Sequence, residues 1–400
     1  MSRQALSRQT VSHQAVFAGL LAAFVGFAST FAVVLKGLMA VGASPEQAAS
    51  GLMALSVAMG LCAILLSLSR REPISIAWST PGSALLAASA MPEGGFPAAV
   101  GAFLASGVLI VLAGMWRPLG RAVAAIPSSL ANAMLAGVLL NLCLAPVRAV
   151  AALPMLALPV ILVWACMGRV NRLYAVPAAV AAMLALLMVL GGSPGGAPTR
   201  WLAHPVWVWP VWSPAALIGL ALPLFLVTMA SQNIPGMAVL SVNGYTPPAG
   251  PLFRVTGLFT LLAAPFGGHA VNLAAITAAL CAGPDAHPDP ARRYWAAAVA
   301  GAAYIILGLL AGAAAGLIAV SPPVLIEAVA GLALLGALGG ALSGAVSAAD
   351  GREAALVTFL VTASGLSVFG VSGAFWGLLA GAAMRALSRV WSVGALLHKR

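Results

Sequence analysis

Three polar clusters interrupt apolar runs long enough to cross a bilayer: Ser79-Thr80-Pro81-Gly82, Ser231-Gln232-Asn233 and Gly267-Gly268-His269-Ala270-Val271-Asn272. Polar groups at that depth are expensive and mark ligand or ion pathways by default. Ser79-Thr80-Pro81 reads as an N-cap followed by proline in the first helical turn. A helix starting there aims N–H groups and the positive end of its dipole at whatever lies in front of it, which is how an anion is held without a full protein charge. Gln232 and Asn233 offer amide hydrogen bonds, either to a solute or to neighbouring helices. His269 is the titratable group of the third cluster. Histidine's reference pKa of about 6.5 suits a proton carrier, with a neutral hydrogen-bonding role as the alternative.

The segments that must position these residues are unusual. The run from Asn272 to Ala282 covers about 15 Å as a helix, against a hydrocarbon core of roughly 30 Å. It reaches only the middle of the bilayer, so the span is predicted to be broken, with a half-helix starting at Asn272. In the first half of the chain Ile74-Ser75-Ile76-Ala77-Trp78 has extended character, and the half-helix after it runs to about Ala90. Two such units meeting head to head pair short strands at the midplane and aim two helix N-termini at one pocket.

Composition permits this reading. Of 400 residues, 62% are hydrophobic and 7% charged, where a soluble domain has about 25% charged; the chain is expected to be a polytopic membrane protein without a signal peptide. Cys62, Cys143, Cys166 and Cys281 lie in apolar runs and share no metal or disulfide spacing. The net charge of +11 implies no nucleic-acid partner, because the basic residues sit at segment ends. Five scattered histidines give no HExxH-type spacing, no Ser-His-Asp group is suggested and no nucleotide loop is present, which argues against an enzyme or an ATP-driven pump. No cofactor and no metal are expected.

Fourteen spans are predicted, near 14–41, 47–68, 75–90, 96–115, 123–144, 150–167, 173–191, 214–241, 251–265, 267–282, 292–318, 324–346, 353–368 and 372–392. Threaded from a cytoplasmic N-terminus they put most Arg and Lys residues on the cytoplasmic side, leave Arg148, Arg200 and Lys36 outside, and return the C-terminus to the cytoplasm. The segment 192–213 is the longest outside connection, and Trp201, Trp207, Trp209 and Trp212 in it read as interfacial anchors. Ala28-Ser29, Leu38, Gly42 and Pro45 match Ala230-Ser231, Leu240, Gly244 and Pro247 at one constant offset. With an odd number of spans per half, the second copy is inserted upside down, so the expected fold is an all-α, seven-plus-seven inverted repeat with two broken spans forming the site.

The three stretches ISIAWSTPGSALL (Ile74 to Leu86), SQNIPGMAVL (Ser231 to Leu240) and PFGGHAVNLAAITAAL (Pro265 to Leu280) together resemble the BenE family of benzoate/proton symporters, and the resemblance runs over nearly the whole chain. That family is distantly similar to the uracil and nucleobase/ascorbate transporters. The resemblance implies a core domain (14–115 and 214–318) that holds the substrate, a gate domain (123–191 and 324–392), and movement of one against the other. Where the uracil-type relatives carry glutamates in the eighth and tenth spans, this chain offers Gln232 and Asn233, and His269, Asn272 and Thr277. A site without a carboxylate does not repel an aromatic carboxylate.

The expected binding residues are Trp78, Ser79, Thr80, Pro81, Gly82, Gln232, Asn233, Phe266, Gly268, Ala270, Asn272, Leu273 and Thr277, with Trp78 and Phe266 supplying ring contacts. Proton coupling falls to His269, with Glu327 as a second candidate that could instead favour a helix N-terminus. The expected activity is import of benzoate or a similar aromatic carboxylate with a proton across a bacterial cytoplasmic membrane. Carriage of another small anion or a nucleobase-like planar solute is the alternative, and the sequence leaves a homodimer open.

Overall fold

The computed structural model of the chain describes residues 12–116, 118, 127–189, 201–274, 277–347, 351–368 and 371–397. It is mostly helical, and among the described residues seven helices are long and apolar enough to cross a membrane. These are α1 (His13–Ala40), α2 (Pro45–Arg70), α4 (Gly95–Met115), α5 (Ser128–Ala152), α8 (Pro214–Val242), α9 (Ala249–Phe266) and α13 (Pro323–Val346). Shorter helices lie between them: α3 (Thr80–Ala87), α6 (Pro154–Val170), α7 (Ala175–Val189), α10 (Thr277–Ala282), α11 (Tyr294–Leu309), α12 (Ala311–Val320), α14 (Arg352–Ala363) and α15 (Gly373–Leu397).

Two three-residue strands meet inside this bundle. β1 (Ile76–Trp78) pairs antiparallel with β2 (Val271–Leu273), Ala77 facing Asn272. The ladder is extended at both ends by Ser79 N–H on Ala270 O (3.1 Å) and Ala274 N–H on Ser75 O (2.9 Å). Non-helical backbone survives away from water only where protein groups satisfy it. Here side chains from neighbouring helices do so: Thr260 Oγ1 accepts from Val271 N (2.9 Å), Asn233 Oδ1 from Leu273 N (2.9 Å), and Ser67 Oγ donates to Ile74 O (3.1 Å).

The helices pack through small residues, as expected where the surrounding lipid removes the hydrophobic drive between them. A Cβ on Gly60 would meet the Gly301 carbonyl, which fixes α2 directly against α11. Between α4 and α9, Gly114 and Gly250 do the same.

Several boundaries differ from expectation, each for a local reason. Asn272 lies in β2 and does not begin a half-helix; α10 is described from Thr277. The span expected over 292–318 divides at Leu310, because the incoming connection competes for its backbone: Ala203 N–H bonds the Leu309 carbonyl and Ala313 N–H bonds that of Trp201, both at 3.0 Å. The span expected over 353–368 stops at Ala363; Gly365 takes a positive φ of 70°, and β3 (Ser367–Val368) pairs with β4 (Val371–Ser372).

The connection over 201–213 runs extended across the ends of several helices. Val206 N–H bonds Ser50 Oγ (2.8 Å), Val208 N–H bonds Pro265 O (2.8 Å) and Val211 N–H bonds Pro97 O (3.0 Å). Exposed Trp201, Trp207, Trp209 and Trp212 project from it. Arg200 falls outside the described residues.

Candidate functional site

Ser79 caps α3 with its side chain. Its Oγ accepts from Gly82 N (3.1 Å) and from Thr228 Oγ1 on α8 (2.9 Å), while its carbonyl takes the Ser83 N–H (2.8 Å). Pro81, next to the start, has no N–H to satisfy. The first turn is thereby spoken for except at Thr80, whose N–H has no acceptor among the described residues and whose half-buried side chain opens into a cavity.

That cavity, about 60 Å³ in volume, is walled by Gly26, Ser29 and Thr30 of α1, Trp78, Thr80, Gln232, Thr277 and Tyr304, with Val25, Met59, Ala77 and Ala274 completing it. Occupied small-molecule sites run to about 300–1,000 Å³, so the walls must part to admit a ring. The Trp78 ring is held rigidly: Nε1 donates to Thr30 Oγ1 (3.0 Å), Phe27 packs edge-on at 5.5 Å and Tyr304 lies at 6.4 Å. A flat apolar wall with an unspent N–H and hydroxyl at its edge is suited to an aromatic ring bearing an acidic group. Among the described residues, no Asp, Glu, Lys or Arg lines the cavity.

The expected site residues therefore separate. Trp78, Thr80, Gln232 and Thr277 come together on this cavity. Asn233, beside Gln232, is turned away and spent on Leu273 N. Asn272 donates to the carbonyl of Leu273 (2.8 Å) and is fully buried in the strand pair. Ser79, Pro81 and Gly82 shape the start of α3, where a Cβ on Gly82 would press on Leu224 and Ser79. Gly268, Ala270 and Leu273 are buried around β2. Phe266 is not brought to the cavity; it packs edge-on against Trp207 at 5.3 Å and borders a separate apolar groove with Met53 and Leu262.

A family profile described as benzoate membrane transport protein matches residues 9–387. The chain belongs to the benzoate membrane transport family. Within it, the chain is 42% identical over 366 residues to the inner membrane protein YdcO of Escherichia coli, covering 92% of this chain and 93% of that protein. It is 33% identical over 374 residues to a benzoate membrane transport protein of Acinetobacter baylyi, covering 94% and 95%. The fold is shared with the transmembrane domain of the cyanobacterial bicarbonate transporter BicA (TM-score 0.63, 14% identity, 95% and 98% covered) and with SLC26A9 (TM-score 0.62, 14% identity, 94% and 66% covered).

In this benzoate-transport family member the two titratable candidates sit apart from the cavity. His269 is fully buried; Nε2 is 2.7 Å from Ser83 Oγ, Nδ1 has no partner among the described residues, and the ring packs edge-on against Phe103 at 6.2 Å. Ser83 Oγ also lies 3.0 Å from the Ser79 carbonyl, so its single proton can serve only one of the two. Glu327 Oε1 is 2.9 Å from Lys36 Nζ, joining α13 to α1. Ser29, Thr30 and Tyr304 were not expected at the site. Thr30 had a signal, because it stands at the same offset from Gln232 as Ser29 from Ser231, and both line one cavity. Tyr304 had none in the sequence beyond being a polar-tipped ring inside an apolar run.

Proposed function

We propose that this chain imports benzoate or a closely similar aromatic carboxylate together with a proton. The observation that carries the reading is Thr80: it begins an eight-residue helix, no hydrogen bond among the described residues uses its N–H or hydroxyl, and it faces a cavity whose wall is a fixed indole. The carboxylate is held by Thr80 and the helix dipole, and hydrogen bonds come from Gln232 and Thr277. The ring lies against Trp78. Without a carboxylate in the cavity, the anion meets no like charge.

For the proton, Glu327 is the more accessible of the two candidates, its side chain being 41% exposed. His269 meets neither water nor charge and holds the segment before β2 onto α3. In this proposal residues 14–115 and 214–318 move as the carrier unit against a frame of 123–191 and 324–392, the two halves being inverted copies. Residues 123–126, 190–191, 348–350 and 369–370 of the frame lie outside the described residues.

The test is uptake of labelled benzoate into proteoliposomes under an imposed inward proton gradient. Accumulation that collapses with the gradient supports symport. Equilibration without accumulation replaces it with a facilitator, and no uptake at all moves the substrate to another small anion or planar solute.

A further inference from the structure

A lysine in the outer part of a membrane helix needs an explanation, and the pair it forms supplies one. Lys36 Nζ and Glu327 Oε1 are 2.9 Å apart, one on α1 and the other in the first turns of α13. In the topology read from the charges, both lie near the outer ends of their spans. α1 also carries Gly26, Ser29 and Thr30 of the cavity. Lys36 is six residues past Thr30, about 9 Å further along the helix axis at 1.5 Å per residue. Gly37 beside it packs so closely on the Ser83 carbonyl of α3 that a Cβ would not fit. Lys36 is therefore tied to the wall of the cavity, and Glu327 belongs to the helix across from it.

We infer that Lys36 is the group that receives the entering carboxylate, and that Glu327 masks it by closing the outer route when α1 and α13 come together. This rests on the proposed transport of an aromatic carboxylate. Among the described residues, Lys36 is the one cation on the outer part of the helices and strands that line the cavity. An anion leaving bulk water for a cavity held together by dipoles needs an opposite charge on the way. Arg148, the other described cation expected outside, lies on α5 in the frame and does not travel with the cavity. In the state seen here Glu327 occupies Lys36. When α13 moves away the lysine is uncovered, and the anion that replaces Glu327 is then handed inward along α1. The pair is partly exposed, with the lysine side chain 22% and the glutamate 41% accessible, so it is a latch that each cycle can break rather than a buried lock.

Two readouts separate the latch from the substrate. The first uses Ser29→Cys in a Cys166→Ser background, Cys166 being the exposed one of the four cysteines, and measures labelling by a membrane-impermeant thiol reagent added outside intact cells. Adding Glu327→Gln is expected to speed labelling several-fold; an unchanged rate overturns the latch. The second measures benzoate uptake. Lys36→Gln is expected to raise KM several-fold at low salt and less at high salt, while Lys36→Arg stays near the parent. The exchange Lys36→Glu with Glu327→Lys restores a pair, so labelling is expected to return to the parent rate. A parent-like KM in Lys36→Gln overturns the lysine's part. Failure of the unmodified protein to take up benzoate sinks the proposed substrate, whereas the labelling result still decides the latch.

Discussion

Neighbouring residues in the polar clusters divide their labour. Ser79 spends its hydroxyl capping α3 and bonding Thr228, and the unspent donors fall to Thr80. Gln232 faces the cavity, while Asn233 satisfies a strand N–H. Thr80→Val keeps shape and removes one hydroxyl. A hydrogen bond to a charged group contributes about 1.5–3 kcal/mol, so the KM for benzoate should rise roughly tenfold to a hundredfold with expression unchanged. Gln232→Glu places a like charge beside the carboxylate and should weaken benzoate competition for uptake; unchanged competition would remove Gln232 from the site. His269→Gln should keep gradient-driven accumulation while lowering the melting temperature, because the histidine's contact is with Ser83 and not with the cavity. Accumulation lost in a well-folded His269→Gln protein would return the proton to His269.

At the scale of elements, the strand pair depends on helices that surround it. α8 widens into a π-helical turn at Met229–Asn233 just before Pro235, where the proline cannot supply the usual N–H to residue 231. The wider turn carries both amide side chains, and one reaches β2. Gly236 lets that strand approach, since a Cβ there would collide with Leu273 and the Ala274 carbonyl. Asn233→Leu leaves the buried Leu273 N–H without a partner, at a cost of about 1–3 kcal/mol. Thermal unfolding in detergent should shift down accordingly, and uptake should fall with it. Asn233→Asp, which keeps the acceptor, should recover much of the stability if hydrogen bonding is the reason.

At the scale of the molecule, residues 201–213 act as a strap. Ser50 on α2 is its fastening point, donating to Phe266 O (3.0 Å) and accepting from Val206 N (2.8 Å). Ser50→Ala releases both and should destabilise the protein by about 1–2 kcal/mol without altering the cavity, seen as a lower melting temperature at unchanged benzoate KM. The Lys36–Glu327 pair stands at the opposite extreme. Partly exposed ion pairs contribute roughly 0–1 kcal/mol, so its loss should barely change stability; its effect belongs to the transport cycle.

The sequence by itself determined the class of this protein and the location of its polar breaks. Apolar runs of membrane length, charges confined to their ends and three polar clusters all follow from the cost of placing charge in hydrocarbon, and that cost is readable residue by residue. Trp78, Thr80, Gln232 and Thr277, which line one cavity, were singled out in the sequence for the same reason. Tertiary structure alone decided which member of each polar pair faces the cavity and which faces protein, because that depends on which buried backbone groups remain unpaired once β1 and β2 meet. It placed Asn272 in a strand, sent Phe266 to another face and divided the eleventh expected span at Leu310, where the strap competes for its carbonyl. It also brought Lys36 to Glu327 across nearly three hundred residues of chain, a distance over which hydrophobic periodicity carries no information about contact.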